Sequence, residues 1–167
     1  MDCERIEQPG RAACVVTARS EAETERFGQA LARVVGPGMT LGLVGPLGAG
    51  KTRLTRALVE ALEVDPDEVG SPTFVLIREY AGVYPIYHFD TYRLKSPDEF
   101  AALGTSDYFR DDALCVVEWA DRVRDQLPDA TIWLEIEPLD LESRRFVLSA
   151  SLEFVTRLCA DLSRRDH

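Results

Sequence analysis

The 167-residue sequence predicts an α/β domain of three layers, with helices on both faces of a mixed, mainly parallel central sheet. Three observations carry that expectation. Short apolar runs of strand length alternate with stretches whose apolar residues recur at helical spacing, the pattern of βαβ units. A run of glycines joins one such strand to one such helix. Two β-rich segments around Ala81-Gly82-Val83 read as a hairpin, which adds an antiparallel part to the sheet.

The elements follow in order. Ala12 to Ala18 is the first expected strand. Ser20-Glu21-Ala22-Glu23 reads as a capping box, with Ser20 as N-cap and Glu23 three residues on. Phe27, Ala30, Leu31 and Val34 then form one apolar helix face, ended by Gly36-Pro37-Gly38. Met39 to Val44 is apolar enough for a buried strand. After a Gly-rich turn, Leu54, Ala57, Leu58, Ala61 and Leu62 share a helix face, and Asp65-Pro66-Asp67 breaks it. Phe74 to Tyr80 and Tyr84 to Phe89 are the hairpin strands. Ser96-Pro97-Asp98-Glu99 starts a helix with Pro97 at its first position. Ala113 to Val117 reads as a central strand, and Trp119 to Leu127 as a helix stopped by Pro128. Thr131 to Glu137 alternates Ile132, Leu134 and Ile136 with Glu135 and Glu137, a strand with one solvated face. Arg145 to Ser151 is the last strand and 152–163 the last helix.

Composition bounds the function. Apolar residues make up 46% of the chain, enough for a real core, and a single domain over 1–167 is the expectation. Against 29 acidic residues stand 19 basic ones, for a formal charge of −10. That balance speaks against independent grip on a phosphate backbone or an anionic membrane. Cys3, Cys14, Cys115 and Cys159 form no C-x-x-C pair, which speaks against a zinc site. Cys115 and Cys159 sit in apolar runs and are expected as buried free thiols. The N-terminus has no apolar leader segment and no run approaches the ~18 residues of a membrane span, so a cytoplasmic setting is expected.

Gly45-Pro46-Leu47-Gly48-Ala49-Gly50-Lys51-Thr52 matches G-x-x-x-x-G-K-[ST] completely, between a buried strand and an amphipathic helix. Glycines let the backbone curl so that the N–H groups around Gly45, Gly48, Ala49 and Gly50 face phosphate oxygens, and the helix adds its positive end. Lys51 would reach the β- and γ-phosphates and the Thr52 hydroxyl would ligate Mg²⁺. This is the loop of the P-loop NTPase fold. Only two lysines occur, Lys51 and Lys95. In a chain that otherwise uses arginine, a lysine stands where a compact point charge suits phosphate. The chain has no asparagine, so an N-K-x-D guanine reader is absent and ATP is the expected nucleotide. Asp67-Glu68-Val69-Gly70 fits D-x-x-G formally but follows no strand.

Such a loop needs a carboxylate for Mg²⁺ or its water shell at the end of an apolar strand. Glu118, closing Ala113 to Val117, is placed best, and Asp90, ending Ile86-Tyr87-His88-Phe89, is second. A surface or capping role is the alternative for each. Thr73, in Ser71-Pro72-Thr73-Phe74, lies where γ-phosphate-sensing loops sit. His88 reads as a packed or hydrogen-bonded strand histidine. Arg93 is either a phosphate or partner contact or a surface residue, and Trp119 either core or contact surface. Tyr80, Tyr84 and Tyr87 read as strand packing.

Taken together, Gly45 to Thr52, Ser71-Pro72-Thr73-Phe74, His88-Phe89-Asp90-Thr91-Tyr92-Arg93 and Glu118-Trp119-Ala120-Asp121 resemble the bacterial TsaE (YjeE) family in order and spacing. The resemblance covers about residues 20 to 150. It implies an ATPase needed for N6-threonylcarbamoyladenosine in tRNA, working with the TsaB–TsaD pair and touching tRNA only indirectly. By that likeness Lys51 and Thr52 bind phosphate and Mg²⁺, Thr73 belongs to a switch-like loop, and Asp90 and Glu118 are the acidic residues of the ATP site. Glu118 is then the Walker B-like Mg²⁺ residue. Pro46 and Arg53 depart from the family pattern, and Arg53 puts a positive charge beside the phosphates. Two other functions share the motif: a small-molecule kinase, and an ATP-gated binding module with negligible turnover. A kinase usually has an arginine-rich lid, whereas Arg122 and Arg124 read as a solvated helix face.

Overall fold

The computed structural model describes residues 1–8, 10–70 and 76–164. Thr73 with the rest of Ser71-Pro72-Thr73-Phe74, and His167, lie outside them. Eight strands are described: β1 (Asp2–Gln8), β2 (Arg11–Ala18), β3 (Thr40–Val44), β4 (Ile77–Ala81), β5 (Pro85–Asp90), β6 (Leu114–Glu118), β7 (Ile132–Pro138) and β8 (Arg144–Ala150). The helices are α1 (Glu21–Val34), α2 (Lys51–Ala61), α3 (Pro97–Ala102) and α4 (Leu152–Ser163). Short 3-10 segments span Thr105–Tyr108 and Ala120–Gln126. Among the described residues no helix is long and apolar enough to cross a membrane.

All eight strands form one sheet in the order β1-β2-β8-β7-β3-β6-β5-β4. The four middle strands β7, β3, β6 and β5 run parallel. Both flanks are antiparallel, as the expected hairpin β4–β5 required on one side. The sheet is therefore mixed, with its parallel part in the centre, where both faces are covered. Alternation along β6 shows this directly. Leu114 and Val116 belong to a core with α1, α2 and α4, while Cys115 and Val117 belong to a second core with Phe100, Val123 and Leu127.

α1 begins as its sequence predicts, with one shift. The Ser20 hydroxyl accepts from the Glu23 amide at 3.2 Å, but the Glu23 carboxylate accepts from the Arg19 amide, at 2.7 Å, one residue before the N-cap. Phe27, Ala30, Leu31 and Val34 are all buried, and complete burial of each large apolar side chain stabilises the fold by roughly 1.5–3 kcal/mol. On α2, Leu54, Ala57, Leu58 and the following Leu62 are buried, whereas Ala61 is exposed. α3 starts at Pro97 as expected, yet the Ser96 hydroxyl makes no cap; Glu99 accepts from the Lys95 amide at 2.9 Å instead.

Three expectations are corrected. Within the expected helix 119–127, Ala120–Gln126 form a 3-10 segment kinked at Val123, where φ is −128°. Periodicity cannot separate the two helix types in so short a run, and the left-handed Trp119 at its start prevents a regular first turn. β1 was not expected. Asp2-Cys3-Glu4-Arg5-Ile6-Glu7-Gln8 is too polar to read as a strand, and forms one because it pairs with Arg11 to Thr17 of β2 at the sheet edge. Cys115 is buried, with its thiol pushed up to about 12 by burial, but Cys159 is only half-buried because α4 lies against β1 and β2 at the end of the sheet.

α1 and α2 pack closely at Gly28. A Cβ there would lie 2.8 Å from the Ala57 Cβ and 3.0 Å from the Leu54 carbonyl. Gly28→Val is therefore expected to destabilise by about 1–3 kcal/mol through overpacking, read as a lower urea midpoint. An unchanged midpoint would mean that the two helices separate freely.

Candidate functional site

The middle strands all end at one edge of the sheet, and ligand sites of open α/β sheets lie outside such carboxyl ends. β3 delivers the loop Gly45–Gly50, and α2 begins at Lys51. Gly50, the residue before it, has φ +101°, a conformation that side-chain-bearing residues rarely adopt. β5 and β6 pair in register with Asp90 opposite Glu118. Asp90, Glu118, Lys51, Thr52, Arg53 and the loop residues line one cleft of about 420 Å³, together with Glu21, Tyr92, Trp119 and Arg144. A larger hollow of about 720 Å³ along α1 and α2 shares Thr52 and Arg53 but contains neither the loop glycines nor Glu118.

Glu118 is the hub of this cleft. It is 2% exposed, and both of its carboxylate oxygens lie 3.2 Å from the Thr52 hydroxyl, which donates to them. His88 Nε2 stands 2.8 Å from Glu118 Oε1. Their strands pair directly, and His88 lies diagonal to Glu118 on the same face, within reach of a long side chain. On its far side His88 Nδ1 lies 3.3 Å from the Tyr80 hydroxyl, which donates to the Gly70 carbonyl at 3.0 Å. Burial raises the Tyr80 hydroxyl above its ordinary range, with the Gly70 bond and Arg78 opposing. His88 is thus a buried, hydrogen-bonded strand residue, as its sequence position suggested.

Lys51 is 5% exposed. Its ammonium donates to the carbonyls of Gly45 at 2.6 Å and Pro46 at 2.9 Å, and sits 3.9 Å from the centre of the Trp119 ring. Burial lowers its pKa, while Glu118, then Asp90 and Asp121, pull it back up. The buried ammonium is thus solvated by loop carbonyls and a π face. Trp119 serves neither as plain core nor as plain surface: half-buried, it lies under Lys51 and 4.8 Å from the Tyr92 ring.

Trp119 has φ +58°, a strained backbone for an aromatic residue. Thr91 holds it there. The Thr91 amide donates to the Glu118 carbonyl at 3.2 Å, and its hydroxyl reaches the carbonyls of Glu118 at 3.1 Å and Trp119 at 2.7 Å. Asp90 is buried and accepts from the Tyr92 amide at 2.9 Å, a turn that fixes its carboxylate at the strand end.

Arg53 lines the cleft, and its guanidinium also pairs with Glu21 at 2.8 Å and Glu25 at 3.5 Å on α1. Arg122 and Arg124 are exposed but not merely solvated. Arg122 donates to the Tyr92 carbonyl, and Arg124 lies 3.8 Å over the Trp133 ring. Arg93 is exposed and does not line the cleft. Sequence reading missed Thr91, Tyr80 and Arg144. Arg144 reaches from β8 to donate to the Ala49 carbonyl at 2.9 Å, bracing the glycine loop from outside. Only the sheet order, which brings 144 beside 49, reveals it.

The family model for "Threonylcarbamoyl adenosine biosynthesis protein TsaE" matches residues 18–146. The chain belongs to the TsaE family. It is 38% identical over 146 residues to the tRNA threonylcarbamoyladenosine biosynthesis protein TsaE of Bacillus subtilis (strain 168), covering 87% of this chain and 90% of the relative. With the TsaE of Treponema pallidum (strain Nichols) it shares 36% identity over 121 residues, 72% of this chain and 89% of the relative. The crystal structure of Bacillus subtilis YdiB superposes with a TM-score of 0.73 at 30% identity, covering 100% of this chain and 99% of that one. The resemblance read from the four sequence segments is borne out by these matches, and so is the α/β P-loop fold.

His88 supports Glu118 from a fully buried position. His88→Ala is expected to cost about 1–3 kcal/mol, because it leaves the carboxylate and the Tyr80 hydroxyl without that partner. Chemical denaturation measures it; a loss within the ±0.5 kcal/mol typical of surface changes would show that the contact is dispensable.

Proposed function

We propose that this chain is an ATPase required for N6-threonylcarbamoyladenosine modification of tRNA, acting with the TsaB–TsaD complex. Membership of the TsaE family supports the pathway. One observation supports the chemistry: Thr52, the second residue of α2, is joined to the buried carboxylate of Glu118 beside a glycine loop and Lys51.

In this reading the amides around Gly48 to Thr52 and the start of α2 cradle the phosphates. Lys51 exchanges its bonds to the Gly45 and Pro46 carbonyls for the β- and γ-phosphates. The Thr52 hydroxyl and the Glu118 carboxylate are hard oxygen donors of the kind Mg²⁺ selects, so the residues fit that ion. Bound there, Mg²⁺ supplies neutralising charge for the phosphate oxygens. Glu118 is held in place by His88, and Asp90, fixed by its turn onto Tyr92, faces the same cleft and is assigned to orient the attacking water or the metal's water shell. Thr73 is assigned to a γ-phosphate-sensing loop. The surplus of acidic residues leaves tRNA contact to the partner proteins.

Lys51→Ala is expected to weaken ATP binding by at least about tenfold, or ~1.4 kcal/mol, with the folded baseline unchanged; calorimetric titration reads it. Retained affinity would remove Lys51 from the phosphate site. Phosphate release by the wild type is expected to be weak alone and to rise with TsaB–TsaD. Normal threonylcarbamoyladenosine in the tRNA of a depletion strain would refute the assignment.

A further inference from the structure

Far from the cleft, the fold gathers three of the four cysteines that the sequence keeps apart. Cys3 lies on β1, Cys14 on β2 and Cys159 on α4. Their sulfur atoms all lie within 4.8 Å of one another. Cys3 Sγ and Cys159 Sγ are 2.9 Å apart although 156 positions separate them in sequence. Cys14 is fully buried at the base of the group, and the other two are half-buried at its mouth. C-x-x-C spacing is absent because the ligands come from three separate elements, which no local sequence pattern displays.

We propose that Cys3, Cys14 and Cys159 form a three-thiolate site for a soft monovalent cation, with Cu⁺ the ion that fits. Three sulfurs around one ion at bonds of roughly 2.3 Å stand roughly 4 Å apart, the scale of this cluster. Opening Cys3 from Cys159 by side-chain rotation is enough to admit it, since both are half-buried. Softness selects the ion. Thiolate sites favour Cu⁺, Zn²⁺ or iron–sulfur clusters, and structural Zn²⁺ takes four ligands. No fourth His, Cys, Asp or Glu joins the group among the described residues. Three thiolates complete the shell of Cu⁺ and leave that of Zn²⁺ open.

Binding is an exchange of protons for metal with no change in the oxidation state of sulfur: each S–H that becomes a ligand releases its proton to solvent. Arg5, on β1, donates to Thr156 at 3.3 Å, tying β1 to α4 one turn before Cys159. A disulfide would use only two of the three sulfurs.

The test is anaerobic titration of the reduced full-length protein with Cu⁺ against a chromophoric copper chelator. One ion per chain is expected, with an ultraviolet thiolate-to-copper band and a raised melting temperature, since the ion ties β1 to α4. Cys3→Ser and Cys159→Ser, at half-buried positions, are each expected to weaken binding by more than the roughly 10–100-fold that loss of a mere supporting contact costs a metal site. Cys14→Ala is expected to do the same if it folds. Cys115→Ser, whose thiol donates to the Tyr108 carbonyl elsewhere, leaves binding unchanged. The assignment is overturned by any of four results: no stoichiometric Cu⁺, equal loss in Cys115→Ser, tighter binding of Zn²⁺ than of Cu⁺, or a Cys3–Cys159 disulfide as the sole modification.

Discussion

Burial of the Glu118 carboxylate is the constraint on which the site depends. A charge removed from water must be hydrogen-bonded, or its cost falls on the fold. Here the solution is shared by two elements, Thr52 from α2 and His88 from β5, while Thr91 just after β5 holds the backbone at the strand end. The two carboxylate partners come from distant stretches of chain, so the carboxylate ties α2 and β5 to β6. The geometry of the cleft is a by-product of keeping one anion satisfied.

The same logic explains the contrast between the two cationic residues at the start of α2. Lys51 is buried and turned onto backbone carbonyls and the Trp119 ring, none of which carries a full negative charge. Arg53, two positions on, is paired with Glu21 and Glu25 on α1. Neutral groups hold the one cation and carboxylates the other.

Much of this was legible in the sequence, for identifiable reasons. The Gly45–Thr52 loop carries its chemistry in consecutive residues, so a linear pattern is enough. Phe27, Ala30, Leu31 and Val34 announce α1 because helical period and burial agree there. Glu118 and Asp90 were readable as carboxylates closing apolar strands. What was hidden needs the third dimension. β1 is a polar strand made by its partner, not by its residues. The left-handed Trp119 leaves no mark in a run that otherwise reads as helix. Arg144 and Thr91 act through backbone carbonyls of distant segments, and a carbonyl has no letter in a sequence. The thiol group of Cys3, Cys14 and Cys159 is invisible for the same reason. The Arg53 ion pairs with Glu21 and Glu25 were hidden because position next to a phosphate loop says nothing about the neighbouring helix.

The mixed sheet also has a consequence for assembly. Three of its four antiparallel pairs, β1–β2, β4–β5 and β7–β8, join neighbours in the chain, so each closes a short loop at small entropic cost, whereas β2–β8 does not. The pairings that create the cleft, β3 with β6 and β5 with β6, join strands with helices between them, and Thr52 meets Glu118 across 66 positions. A chain caught part-way can own every hairpin and no site at all. Closure of the cleft therefore marks completion of the whole topology, because its long-range contacts cost more to close than the hairpins.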